Sequence, residues 1–207
     1  MAQYKLYGRP GSGSLAVQMA LEEIRVPYER IWVANGAADV ATFRTISPTG
    51  KVPALALPDG TVMFESAAML VHLSLEHPRA ELAPQPGTSQ HARFLQWMVF
   101  LSANVYESAL RVYYPVRYSS RGENDAEPIR EQGTRDFLAH LTLISQALNP
   151  YVLGSQYSVA DLYLYMLASW FPGGKSDLNA RLPALGTHAQ KLSLRPAVGA
   201  AEADHAV

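Results

Sequence analysis

The chain contains no cysteine. That absence excludes disulfides, thiolate zinc sites, iron–sulfur clusters and a cysteine nucleophile, so any thiol chemistry here has to use a thiol brought by another molecule. An excess of charge of one sign is lacking too. Lys plus Arg number 17 against 18 Asp plus Glu, a net charge of −1, which offers no field for nucleic acid or an anionic membrane. No apolar run approaches the ~20 residues that span a bilayer. The opening Met-Ala-Gln-Tyr-Lys has no apolar signal core behind a basic end, so a cytoplasmic protein is expected. The six histidines, at 72, 77, 91, 140, 188 and 205, form no i, i+4 pair, and phosphate-loop and G-x-S-x-G spacings are missing. Neither a metal centre nor a serine hydrolase is expected. What is present, 207 residues with 48% hydrophobic and 17% charged, suits one large globular domain or two small ones.

Up to residue 80 the chain alternates short β-type runs with helical ones. Lys5-Leu6-Tyr7 belongs to a first strand that ends in Gly8-Arg9-Pro10-Gly11-Ser12-Gly13, and a helix follows with Ser14 as its cap. Tyr28 to Val33 is β-rich, Ala38 to Ile46 is helical, and Val52 to Leu57 and Thr61 to Phe64 flank the hairpin signal Pro58-Asp59-Gly60. A third helix runs from Ser66 to His77 with the Ser66 hydroxyl at its start and Pro78 after it. The order β-α-β-α-β-β-α is followed by a Pro- and Gly-rich linker, residues 81–88, and then by helices alone. Residues 1–80 are thus expected to form one domain and residues 89–207 an all-α bundle. Its helices run from Ser89 to about Val116, from Pro128 to Leu148, after Ser158, and near Pro183 to Ser193 and Pro196 to Ala203. Ser158-Val159-Ala160-Asp161 is a capping-box pattern, read as a folding device.

Gly11-Ser12-Gly13-Ser14-Leu15-Ala16 fits a dinucleotide fingerprint. That fold also needs an acidic residue at the end of the second strand, where Val33-Ala34 stands, and a second parallel half, which the helices beyond the linker exclude. The informative stretch is Ser47-Pro48-Thr49-Gly50-Lys51-Val52-Pro53-Ala54-Leu55, followed by Phe64-Glu65-Ser66-Ala67-Ala68. Gly-Lys-Val-Pro entering the third strand, Glu-Ser opening the third helix and Ser-Val-Ala-Asp in a helical domain resemble the cytosolic glutathione transferases. Leu-Tyr-x-x-Pro-Gly near the start and Leu95-Gln96-Trp97 look like the bacterial, beta-like branch. The resemblance covers nearly the whole chain. It implies a thioredoxin-like domain that binds glutathione, an all-α domain that contributes an apolar electrophile site, a homodimer, and a role of the detoxification kind.

The resemblance also implies site residues. A cis bond before Pro53 would turn the Val52 backbone toward an extended peptide ligand. A γ-glutamyl carboxylate would sit at the helix N-terminus opened by Ser66, with Glu65 on the α-amino group and Lys51 on the glycine carboxylate. Thiolate stabilisation would fall to Ser14 first, Ser12 second and Tyr7 third. Tyr106, Arg111, Tyr113 and Tyr114 would line the electrophile site between the residue 8–14 loop and the long helix, and Asn104 would reach a partner subunit's glutathione. Three positions depart from the beta pattern. Gly13 stands at the place of the beta-class cysteine, Gly8 replaces a tyrosine and Tyr106 a histidine. These departures exclude chemistry with a protein cysteine and motivate a second reading, a glutathione-binding ligand carrier or partner-binding protein without conjugating activity.

Overall fold

In the computed structural model, which describes residues 3–206, β1 (Tyr4–Gly8) buries Tyr4, Leu6 and Gly8 and exposes Lys5, the two-residue alternation of a strand with one wet face. Lys5 pairs with Glu29 at 3.3 Å. A loop in which Gly11 takes φ 67° leads into α1 (Ser14–Ile24), buried on all sides from Ser14 to Leu21. The N-cap is Gly13, which has no side chain to cap with, and the Ser14 N–H reaches the Ser12 hydroxyl oxygen at 3.3 Å. The capping expected of Ser14 is therefore not found, because its side chain is turned into the interior. β2 (Tyr28–Trp32) returns parallel to β1, and α2 (Ala37–Phe43) leads to the antiparallel pair β3 (Ala54–Ala56) and β4 (Val62–Phe64). The hairpin closes where Gly60 takes φ 92° and the Asp59 carboxylate accepts the Thr61 N–H at 2.8 Å. β3 is shorter than the Val52–Leu57 run because Pro53 has no N–H to give the ladder. With α3 (Ser66–Glu76) the element order is the expected one, around a sheet in the order β2-β1-β3-β4.

The chain forms two compact units, one made of residues up to Ala83 together with Ser193 onward, the other of Pro84–Leu192. From sequence all of residues 89–207 are expected in the helical domain. Instead α10 (Pro196–His205) closes onto α1 and β2, burying Val198 and Ala201. Gln18 Nε2 donates to Asp204 at 2.7 Å, Arg195 Nη2 donates to Glu23 at 2.8 Å, and Arg30 pairs with Asp204. The His205 ring meets the Trp32 ring edge-on at 5.0 Å, with both of its nitrogens buried and unpartnered. Burial first, and Arg30 second, pull the His205 pKa down to about 4 from the ordinary 6.5. A group whose folded pKa is depressed binds its proton more readily in the unfolded chain. Stability is therefore complete above about pH 6.5 and declines as the pH falls toward 4. The thermal midpoint is expected to drop more between pH 7 and pH 5 in the parent than in His205→Phe; equal drops in a melting series would contradict this.

In the second unit α4 (Ser89–Phe100) passes through a π-helical segment, Leu101–Tyr106, into α5 (Glu107–Tyr113), which stops ahead of Pro115 rather than running to Val116. α6 (Ala126–Ala147) crosses α5 at Gly133, where a Cβ would stand 2.7 Å from Arg111 Cβ and 3.1 Å from the Ser108 carbonyl. α7 (Val159–Ser169) is buried through Ala168. α8 (Gly174–Arg181) was not foreseen, since Leu178 is its one buried residue, and α9 (Pro183–Ser193) follows. Phe94, Met98, Phe137, Leu141 and Leu162 fill the centre.

The Ser158 hydroxyl accepts the Ala160 N–H at 3.3 Å and the Asp161 carboxylate accepts the Ser158 N–H at 2.9 Å, completing the expected capping box. Asp161 does more than cap. It also accepts the Val152 N–H at 2.9 Å and His188 Nε2 at 3.0 Å, tying the approach to α7 and the middle of α9 to one buried carboxylate. Among the described residues no helix is long and apolar enough to cross a membrane.

Candidate functional site

The sheet register brings three loops of the first unit to one edge. Tyr7 stands opposite Ala54, and Ala54 opposite Phe64. The loop leaving β1 at Gly8, the Val52-Pro53 approach to β3 and the Glu65-Ser66 step out of β4 therefore open on the same side.

In the first loop Arg9 is the anchor, a residue not singled out from sequence. Its guanidinium donates to the Val33 and Ala34 carbonyls, both at 3.1 Å, fixing the loop to the end of β2. Its backbone holds the serines. The Ser12 hydroxyl donates to the Arg9 carbonyl at 2.7 Å, Ser14 Oγ accepts the Arg9 N–H at 3.2 Å, and the two hydroxyl oxygens lie 2.9 Å apart. Ser14 is wholly buried and Ser12 keeps part of its surface in solvent. Tyr7 is half-buried, its ring packed on Phe43 at 5.8 Å.

In the second loop Gly50, at φ 64°, donates its N–H to the Ser47 carbonyl at 2.8 Å. The buried Ser47 hydroxyl meets Thr49 Oγ1 at 3.2 Å and donates to the Lys51 carbonyl at 3.3 Å, while the Lys51 N–H reaches Thr49 Oγ1 at 3.3 Å. This small hydroxyl network shapes the turn that presents an exposed Lys51 beside Val52 and the buried Pro53. The Val52-Pro53 peptide is cis. Ser47 and Thr49 lay within the motif, but nothing in their spacing marks them as the turn's framework.

The third loop carries an unusual backbone. Glu65 is exposed and holds φ 73°, ψ 103°, left-handed for a residue with a Cβ. Such a conformation costs on the order of 1–3 kcal/mol and concentrates at functional sites. Glu65 is the N-cap of α3 and makes no side-chain cap bond; Ser66 is the first helical residue, buried at the helix start. The cap position is therefore held by Glu65 rather than Ser66, and the first-turn N–H groups of α3 face the end of the sheet where this loop opens.

The residues predicted for an electrophile site lie in the second unit. Asn104 and Tyr106 fall in the π-helical segment, a feature that re-aims side chains and recurs at functional sites. The Tyr106 ring meets Trp170 edge-on at 5.1 Å, and the Tyr113 hydroxyl donates to the Trp170 carbonyl. Tyr106, Tyr113 and Trp170 therefore form one aromatic group, to which Trp170 adds a residue that the sequence expectations do not include. Burial pushes the Tyr113 phenol up, and burial followed by the hydrogen bond to Glu107 pushes Tyr118 up to about 12, so both are protonated at neutral pH. Arg111 is paired with Glu107 at 3.6 Å and Asp136 at 3.8 Å, and lies over the Tyr118 ring at 5.5 Å. Tyr114 carries the Arg117 guanidinium at 3.9 Å over its face.

Residues 13–75 match the family model described as the N-terminal domain of glutathione S-transferase. The chain is 31% identical over 175 residues, 82% of each sequence, to the uncharacterised GST-like protein YncG of Escherichia coli strain K12. A glutathione transferase homolog from Sulfitobacter, solved with bound glutathione, superposes with a TM-score of 0.90 at 28% identity, over 100% of each chain. A bacterial beta-class glutathione S-transferase from Sphingomonas chungbukensis gives 0.82 at 30% identity, over 97% of this chain and 98% of that one.

Proposed function

Because the chain belongs to the glutathione S-transferase family, we propose that it binds glutathione at the loop edge of its first unit, stabilises the thiolate and adds it to an apolar electrophile. The observation that carries the reading is the pairing of a part-exposed hydroxyl, Ser12, with the N-terminus of α1 on the same sheet edge as Val52 and the start of α3.

The chemistry follows from those groups. An extended peptide pairs with the Val52 backbone as a strand pairs with its neighbour. The γ-glutamyl carboxylate lies at the start of α3, where the helix dipole places about half a positive charge. Glu65 takes the α-amino group, its strained backbone setting the carboxylate in place, and Lys51 takes the glycine carboxylate. A thiol with an ordinary pKa of ~8.5 gives its proton to water near neutral pH if the site lowers that value by about two units, roughly 2.7 kcal/mol. One hydroxyl bond to the thiolate and the α1 N-terminus supply an effect of that size. The full burial of Ser14, against the part-exposed Ser12, supports Ser12 as the donor. The bound thiolate then attacks the electrophilic carbon by addition or displacement. Tyr106, Tyr113, Tyr114 and Arg111 are the residues we assign to electrophile binding.

Glutathione binding is tested by calorimetry. Ser66→Ala is expected to weaken affinity by about 10- to 150-fold, the roughly 1.5–3 kcal/mol of one hydrogen bond to a charged group, with little change in the thiol's titration; unchanged affinity would remove Ser66 from the site. We also assign a homodimer, supported by the exposed apolar side chains Phe64, Val99 and Leu143. Sedimentation at micromolar concentration is expected to give twice the chain mass, and a monomer would refute the assignment.

A further inference from the structure

We infer that Ser14 is a positioning residue that acts on the thiol through Ser12, and that Gly8 is a glycine in order to make room for it; the inference rests on the glutathione-binding reading above. A Cβ at position 8 would stand 2.6 Å from Ser14 Oγ and 2.7 Å from Ser14 Cβ. The Ser14 side chain thus occupies the space that any larger residue at 8 would fill. Gly8 at the end of β1 and Ser14 at the start of α1 are therefore one feature.

The hydrogen count explains what Ser14 does there. The Arg9 carbonyl lies 2.7 Å from Ser12 Oγ and 3.2 Å from Ser14 Oγ, and it also accepts the Ser12 N–H at 3.2 Å. Ser14 Oγ accepts the Arg9 N–H, and the Ser14 N–H approaches Ser12 Oγ at 3.3 Å. Two hydroxyl hydrogens thus serve one shared carbonyl and each other's oxygens. At rest Ser12 gives its hydrogen to the carbonyl and Ser14 gives its own to Ser12 Oγ, 2.9 Å away. To stabilise a thiolate, Ser12 must turn its hydrogen outward and leave the carbonyl. Ser14 is the group positioned to follow, either donating to the carbonyl in its place or continuing to donate into Ser12 Oγ, which polarises the outward O–H. No proton is exchanged within the pair; each hydrogen stays on its own oxygen and only the rotors change. The thiol's proton goes to water.

The test is the titration of bound glutathione, read by thiolate absorbance, across Ser14→Ala, Ser12→Ala, the double variant and Gly8→Ala. Ser14→Ala is expected to bind glutathione within about twofold of the parent and to raise the thiol's pKa by roughly half a unit to one unit, three- to tenfold in thiolate at fixed pH. In the Ser12→Ala background the same change is expected to add nothing, because Ser14 acts only through Ser12. Gly8→Ala, which drives the Ser14 side chain from its place, is expected to reproduce the Ser14→Ala shift with both hydroxyls present. A Ser14→Ala protein that titrates as the parent does overturns the inference, and so does an additive double variant, which would put Ser14 on the thiol itself. If parent-bound glutathione titrates as it does free, the reading of the site fails, a result distinguishable from both.

Discussion

Ser12→Ala is expected to lower kcat/KM for a generic aromatic electrophile by about 10- to 150-fold, the span of a hydrogen bond to a charged acceptor worth roughly 1.5–3 kcal/mol. The direction follows from geometry, since Ser12 is the hydroxyl of the loop that is both held by the Arg9 backbone and open to solvent. Glutathione affinity is expected to change little, because Val52, Glu65, Ser66 and Lys51 do not depend on it. The loss has a signature in pH. Weaker thiolate stabilisation moves the ascending limb of the pH–rate profile upward by about one to two units, so activity is regained in alkali. Ser12→Thr, which keeps a hydroxyl, is expected to retain most of the activity. Steady-state kinetics over pH decide the matter. An Ser12→Ala enzyme with the parent's rate and profile would show that the donor is another group.

Asp161→Ala is expected to destabilise the second unit by about 3–5 kcal/mol, the cost of leaving buried polar partners of a lost charge uncompensated. This carboxylate receives the N–H groups of Val152 and Ser158 and Nε2 of His188 within 3.0 Å, and it is wholly buried. Removing it leaves those donors without an acceptor in a place water does not reach, so the penalty exceeds that of a surface helix cap. In a chain of this size the thermal midpoint is expected to fall by roughly 10 °C or more. His188→Gln, which disturbs one of the bonds, is expected to cost a smaller part of that. Thermal melts followed by circular dichroism would contradict the account if Asp161→Ala melted within a degree or two of the parent.

The β-α-β-α-β-β-α half was legible because its signals are local. Alternation in Tyr4–Gly8, the Asp59-Gly60 hairpin and the proline at 78 each act within a few residues. The capping box at Ser158–Asp161 was legible for the same reason, but its reach to Val152 and His188 was not, since that depends on which loop and helix pack against α7. α8 escaped because it turns almost no apolar surface inward. The place of α10 escaped because composition marks a helix without naming the helix it packs on. At the site, Lys51, Val52, Pro53, Glu65 and Ser66 were visible as a motif, and the sheet register places their loops at one edge. The order of the serines was not visible. Spacing puts Ser12 and Ser14 equally at the start of a helix, and what separates them is the volume left by Gly8, a contact between residues six apart that only the folded turn creates.

The central claim is that this protein binds glutathione and holds it as a thiolate near neutral pH. It is tested most directly by the ultraviolet difference spectrum of glutathione bound to the purified parent protein, followed from acid to alkali. The account predicts a thiolate band that rises about two units below the free thiol's ~8.5. A band that rises only where free glutathione ionises, with binding intact, would contradict it and leave a carrier of glutathione in place of a transferase.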